Sequence, residues 1–267
     1  MYLEYWGLKE FPFENVPDPK FMYFSQDFEE ALIRLLYAVE RKKGAALLTG
    51  EVGCGKTTLS RVLIQRLSEN NADISLITNP SLDPPDFLKE ILYQFGISPA
   101  PNSSKSDLLS MLNSRMLENM REEKITLLII DEAQVISKPT FEEVRLLLNF
   151  QLNDRFLLTL ILIGQPELRD IIRDIAQLDQ RIAIKYHLTP LTFDDTVKYI
   201  RTRLKVAGAE KDVFTLEAID EIFRSSMGIP RKINNICDMS LMIGFVSKSH
   251  IIDSSVTRRV IKDQSSD

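Results

Sequence analysis

Ala45-Ala46-Leu47-Leu48-Thr49-Gly50-Glu51-Val52-Gly53-Cys54-Gly55-Lys56-Thr57-Thr58 is the stretch on which the reading of this chain turns. Ala45 to Thr49 is a short apolar run of strand length, and the residues from Thr57 to Glu69 carry a helical pattern. Between them Gly50 to Thr57 has the spacing G-x4-G-K-T, which means something only when a strand precedes it and a helix follows. That context is met. Glycines at 50, 53 and 55 let the backbone curl with its N-H groups turned inward, at the positive end of the following helix, which is a cradle for phosphate oxygens. Lys56 is then placed to reach the outer phosphates and Thr57 to offer its hydroxyl to Mg2+. Glu51, Val52, Cys54 and Thr58 complete a stretch that predicts ATP and Mg2+ as cofactors.

Working outward, three more apolar runs alternate with helical patterns: Ile74 to Thr78, Ile125 to Ile130 and Leu157 to Ile163, against helices expected at Asp86 to Phe95, Ser106 to Met120 and Thr140 to Leu148. Nearly continuous apolar strands separated by helices predict a parallel, doubly wound α/β sheet covered on both faces. A further helix is expected from Phe28 to Arg41, where Ala31, Leu32, Leu35, Leu36 and Val39 fall at three-and-four spacing. After Leu191 the strand signal fades. Thr192 with Asp195 starts a helix to about Val206, Thr215 another to about Met227, and Gly228-Ile229-Pro230 a third. The expected organisation is an aromatic arm packed on the core over 1–30, an α/β domain over 31–190 and a helical lid over 191–267. The arm, with Trp6, Phe11, Phe13, Phe21, Tyr23 and Phe24, suits plain core filling first, and adenine cover or a docking segment after it.

The second chemical motif is Ile125-Thr126-Leu127-Leu128-Ile129-Ile130-Asp131-Glu132, an apolar strand that delivers two acids at its carboxyl end, where ligands bind in open α/β sheets. Asp131 would hold Mg2+ through water, and Glu132 would orient the water that attacks the terminal phosphate. The bland alternative has Asp131 capping the next turn and Glu132 facing solvent. Gln134 and Lys138, just beyond, read as a solvated turn. Cys54 is a small filler. His187 and His250 have no partner at metal-ligand or triad spacing and receive no role.

Composition bounds the rest. The formal charge is -5 over 267 residues, with 44% hydrophobic and 27% charged residues, ordinary for a globular chain. The acidic total disfavours extended contact with nucleic-acid phosphates, although residues 191–267 hold 12 Lys/Arg against 11 Asp/Glu and are the less repulsive part. Two cysteines far apart suit thiols in a reducing compartment. The amino terminus has no basic region followed by an apolar stretch, and the longest apolar run, Phe156 to Ile163, is broken by Thr159, far short of the ~20 residues a bilayer span needs. A cytoplasmic protein without a membrane span is the expectation.

Taken together, Tyr5-Trp6-Gly7-Leu8, Pro12-Phe13, Pro17-Asp18-Pro19, Leu48-Thr49-Gly50-Glu51-Val52-Gly53, Ile130-Asp131-Glu132-Ala133-Gln134, Leu162-Ile163-Gly164-Gln165-Pro166-Glu167-Leu168, Gln180-Arg181-Ile182 and Gly228-Ile229-Pro230-Arg231-Lys232-Ile233-Asn234 resemble the AAA+ ATPases of the ExeA/GspA general-secretion type. The short MshM pilus proteins and the TniB/MuB-like transposition ATPases are similar. The resemblance runs over nearly the whole chain. It implies that Gln165 is a sensor for the terminal phosphate, against a strand-end cap as the plain reading. It implies that Arg181 is an arginine finger for a neighbouring subunit, against a surface arginine, and that Arg231 is the sensor that reports nucleotide to the lid, against a helix-surface charge. It further implies a homo-oligomer with Arg181 acting in trans and an ATP-driven switch assisting assembly of a secretion or pilus apparatus, with an envelope or pilus protein as partner. The alternative is an ATP-dependent DNA-binding adaptor of the transposition type. A nucleotide serving only as a structural ligand would predict loss of Lys56 or Glu132, and both are present. Long members of the ExeA/GspA type continue into a membrane span and a peptidoglycan-binding region that these 267 residues do not include.

Overall fold

The computed structural model describes residues 2–16, 18–68 and 71–264. Pro17 of the opening motif, Glu69 as the expected end of the helix after the phosphate loop, and the last three residues of the expected lid lie outside the described residues. The chain divides into two compact units, one of Asp27–Gly50 with Lys56–Leu188, the other of Met1–Gln26, Glu51–Gly55 and Thr189–Asp267.

The first unit contains, in chain order, α1 (Gln26–Glu40), β1 (Ala45–Gly50), α2 (Lys56–Ser68), β2 (Ala72–Ile77), α3 (Pro84–Gln94), α4 (Lys105–Arg121), β3 (Ile125–Ile130), a 3-10 turn (Ala133–Val135), α5 (Lys138–Leu147), β4 (Thr159–Gly164), α6 (Leu168–Arg173), α7 (Ala176–Asp179) and β5 (Ile182–Leu188). The strands form one parallel sheet in the order β2-β3-β4-β1-β5. Because all five run the same way, the carboxyl ends of β1, β4 and β3 emerge side by side on one edge.

The apolar runs that specify these strands are buried on both faces. Leu47, Leu128, Ile130, Leu160 and Leu162 join Phe87, Leu88, Ile91 and Leu92 of α3, Leu108, Leu112 and Met116 of α4, and Phe141, Val144 and Leu147 of α5 in one core cluster. Their neighbours in sequence, Ala46, Leu48, Leu127, Ile129, Ile161 and Ile163, are as fully buried. That double burial is why the sequence shows continuous apolar runs rather than alternation. The two edge strands are the exceptions: β2 buries only Ser75 and Ile77, and β5 departs further. It lies at the sheet's edge, its burial alternates, and Lys185 and His187 interrupt its apolar pattern, so periodicity did not reveal it.

The second unit contains the arm, α8 (Phe193–Val206), α9 (Leu216–Ser226), α10 (Pro230–Val246) and α11 (Ser254–Gln264). Thr192 and Thr215 cap α8 and α9 by accepting from the N-H groups of Asp195 and Ala218, and Pro230 opens α10 at the position where its missing N-H costs nothing. Tyr2, Leu8, Phe13 and Phe21 of the arm are buried in one cluster with Ile200, Phe214, Ile219, Ile233 and Leu241. A charged clamp fixes them there. The buried Arg203 guanidinium donates to the carbonyls of Pro12 (2.5 Å) and Glu14 (2.9 Å) and to the Tyr199 hydroxyl (2.7 Å), and lies against the Phe21 and Tyr199 rings. Among the described residues, no helix is long and apolar enough to cross a membrane.

Candidate functional site

The loop after β1 winds through backbone conformations that need glycine: Gly53 has φ +87° and Gly55 φ +101°. Lys56, at the start of α2, is buried, and its ammonium donates to the Gly50 carbonyl at 2.7 Å. Thr57, one residue on, donates its hydroxyl to Oδ2 of Asp131 at 2.8 Å. Asp131 is 4% exposed, and its other oxygen accepts from the Glu132 N-H at 2.9 Å. A threonine hydroxyl and a carboxylate 2.8 Å apart are an all-oxygen pair of the kind Mg2+ takes, with water and phosphate oxygens completing the octahedron. Among the described residues there is no group of three His, Cys, Asp or Glu that could hold a metal ion.

Glu132 sits in the left-handed region, φ 52° and ψ 36°, at a cost of about 1–2 kcal/mol for a residue with a Cβ. Its carboxylate accepts from the Gln134 amide at 2.6 Å. The carbonyl of that amide accepts in turn from the Gln165 N-H at 3.1 Å, just past the end of β4. So Gln134, read from sequence as part of a solvated turn, is half-buried and joins the end of β3 to the end of β4. No local signal announced it, because one of its partners lies 31 positions away.

Thr49, the buried residue before the loop, accepts from Arg169 Nε at 2.9 Å and lies 3.0 Å from Nδ1 of His187. Neither Arg169 nor His187 was singled out for a role in the sequence. Lys138 begins α5 and makes no contact with these groups that the structure records.

Arg181 is not among the residues brought together. It precedes β5, whose Ile182 pairs with Ala45 at the amino-terminal edge of the sheet. A six-residue strand at ~3.3 Å per residue puts that edge roughly 20 Å from the carboxyl ends. Arg181 is half-buried, and its Nη1 has no hydrogen-bond partner among the described residues. In the helical unit, which includes Glu51–Gly55, the Arg231 N-H donates to the Gly53 carbonyl at 3.4 Å. A Cβ on Gly53 would come within 2.8 Å of Arg231 Cβ, so this glycine also permits the close approach of α10. Neither cysteine is in a disulfide, and burial pushes the Cys237 thiol well above its ordinary pKa.

A parallel sheet with a phosphate-type loop after β1 and two acids after β3 defines a P-loop nucleotide-binding fold. The model of the AAA domain matches residues 39–172, and the chain belongs to that family. It is 41% identical over 254 residues to general secretion pathway protein A of Aeromonas hydrophila, covering 94% of this chain and 46% of that protein. It is also 25% identical over 255 residues to an uncharacterized HTH-type transcriptional regulator of Methanocaldococcus jannaschii, covering 81% of this chain and 62% of that one. The chain thus spans about half to three fifths of the length of these curated relatives. Among solved structures, Cdc6p of Pyrobaculum aerophilum matches with a TM-score of 0.70 at 18% identity, over 93% of this chain and 71% of that one. The Aeropyrum pernix ORC2 protein, in ADPNP-ADP complexes, matches with a TM-score of 0.68 at 17% identity, over 94% and 71%. At such identities these two establish the fold alone.

Proposed function

We propose that the chain binds Mg-ATP on the Gly50–Thr58 loop and hydrolyses it to ADP and phosphate as an oligomeric switch. The observation that carries this reading is the Thr57 hydroxyl set 2.8 Å from the Asp131 carboxylate, with Glu132 next in the chain. The inward N-H groups of the loop and the Lys56 ammonium cradle the outer phosphates. Mg2+, held by Thr57 and through water by Asp131, would neutralise charge on the phosphate oxygens. Glu132 accepts a hydrogen bond from the attacking water and aims its oxygen at the terminal phosphorus, in line with the bond that breaks. Gln165, at the end of the strand between β1 and β3, stands where the terminal phosphate or the water would be sensed. Arg231, whose backbone touches Gly53, would report the nucleotide to the helical unit.

Arg181 acts in trans in this reading. Its place at the amino-terminal edge supports that assignment, because it is too far from the acids of its own chain to serve them. The 41% identity to general secretion pathway protein A supports an output in a secretion pathway; in this reading the chain assists assembly of a secretion or pilus apparatus, remodels an envelope protein and works in the cytoplasm.

The test is ATP turnover against protein concentration for the wild type and Arg181→Ala. The expected result is specific activity that rises with concentration, and a loss of about 10^3-fold or more in the variant at saturating ATP. Concentration-independent turnover with Arg181→Ala unchanged would remove the trans assignment. Duplex DNA added at stated salt is expected to leave the rate unchanged; stimulation would move the reading to the DNA-dependent adaptor.

A further inference from the structure

We infer that Gln134 is a positioning residue for Glu132, setting the carboxylate that orients water and tying it to the end of β4. The inference rests on the proposed hydrolysis at Glu132. Gln134 makes two hydrogen bonds of opposite sense. Its Nε2 donates to Glu132 Oε2 at 2.6 Å, and its Oε1 accepts from the Gln165 N-H at 3.1 Å. These partners fix the amide orientation without ambiguity, because a flipped amide would set oxygen against carboxylate and N-H against N-H. The side chain is therefore a bridge with a defined direction, held at one end by a backbone group of the sheet.

Three further features fit that role. Glu132 has a left-handed backbone, so its side chain leaves the main chain in a direction that ordinary helical or extended residues do not use. Gln134 is the hydrogen-bond donor the structure places on Glu132 Oε2. Gly164, the last residue of β4, leaves room for it: a Cβ there would lie 2.6 Å from Gln134 Oε1 and 2.7 Å from Leu168 Cδ2. Finally, the donor is anchored to the N-H of Gln165, the residue proposed to sense the terminal phosphate. A shift of the β4 end therefore moves the donor that aims Glu132.

The chemistry asked of Gln134 is orientation only; no bond to it forms or breaks. Holding Oε2 leaves Oε1 to meet the water. Methionine at 134 keeps the length and volume and loses both hydrogen bonds. Glutamate keeps the shape, loses the donor, and turns a like charge toward Glu132.

The experiment measures kcat, KM for ATP and binding of a fluorescent ATP analogue for wild type, Gln134→Met, Gln134→Glu, Glu132→Gln and the double variant Glu132→Gln/Gln134→Met. Misplacing a reacting group by an ångström costs on the order of 10^2-fold, so Gln134→Met is expected to lower kcat by roughly 10- to 100-fold. KM and analogue affinity should stay within about twofold, since ground-state binding is untouched. Gln134→Glu is expected to fall in the same way. In the Glu132→Gln background Gln134→Met should cause no further loss, because the carboxylate it serves is gone. Unchanged or raised kcat in both Gln134 variants would overturn the inference, as would losses that multiply in the double variant. A fall in analogue affinity or thermal midpoint that matches the loss of kcat would assign Gln134 to structure instead. If Glu132→Gln itself turns over normally, the hydrolysis reading fails and this inference with it. Normal turnover in the Gln134 variants beside a dead Glu132→Gln removes only the inference.

Discussion

Replacing Arg203 should loosen the whole helical unit, although no part of the nucleotide loop is changed. The guanidinium donates three hydrogen bonds, at 2.5, 2.9 and 2.7 Å, two of them to carbonyls of the arm, and is 8% exposed. Bonds to a charged donor are worth about 1.5–3 kcal/mol each. Breaking such a buried set from one side costs on the order of 3–5 kcal/mol. In Arg203→Met the stem still packs, so the loss falls on the Pro12 carbonyl and on Glu14 O, whose other donor, Asn234 Nδ2, is a long 3.5 Å away. Trp6, the only tryptophan, donates its indole N-H to the Leu241 carbonyl in the same unit and reports its unfolding directly. With a urea slope of about 2 kcal/mol/M, a 4 kcal/mol loss moves the Trp6 fluorescence midpoint down by about 2 M. Arg203→Lys should recover less than half of that, because one ammonium cannot reproduce the fork. A midpoint within about 0.3 M of wild type at unchanged slope would refute the clamp.

Three further outcomes follow from individual groups. Gly164→Ala drives a Cβ into Gln134 Oε1 and Leu168, so stability should fall by about 1–3 kcal/mol by chemical denaturation, and turnover should fall more than ATP-analogue affinity does. Burial, and then the hydrogen bond to Asp195, push the Tyr23 hydroxyl up to about 12. A raised pKa means that its stabilisation is whole below the ordinary value of 10.0 and is lost as pH climbs through about 12, so alkaline melting of wild type should show a phase that Tyr23→Phe lacks. Cys237, its thiol pushed well up by burial, should resist alkylation in the folded protein and be modified only after denaturation, as read by peptide mass mapping.

The parts of this molecule legible in sequence are those whose cause is local. The Ala45–Gly50 strand, the loop and the opening of α2 follow one another within a few residues, and Ile125–Ile130 is buried on both faces, so its pattern is unbroken. α8, α9 and α10 begin where Thr192, Thr215 and Pro230 suggest, because a cap acts within three residues. β5 escaped notice because Lys185 and His187 break its apolar pattern and Ala183 and Lys185 are exposed. α11 escaped because Thr257 and Val260 are its buried residues among many polar ones. Long-range pairing was the other blind spot. The motifs mark Thr57 and Asp131 as Mg2+-side residues without predicting the bond between them, and Gln134 with Gln165, Arg169 with Thr49 and Arg203 with the arm are side-chain contacts across 31 to 191 positions, which neither periodicity nor spacing carries.

The most direct test of the account is release of phosphate from Mg-ATP by wild type and Glu132→Gln, with binding of a fluorescent ATP analogue followed on the same samples. The account predicts steady turnover in wild type and a loss of at least about 10^2-fold in Glu132→Gln, with analogue affinity retained. Equal turnover in the two, or none in wild type at any protein concentration despite tight binding, would contradict it.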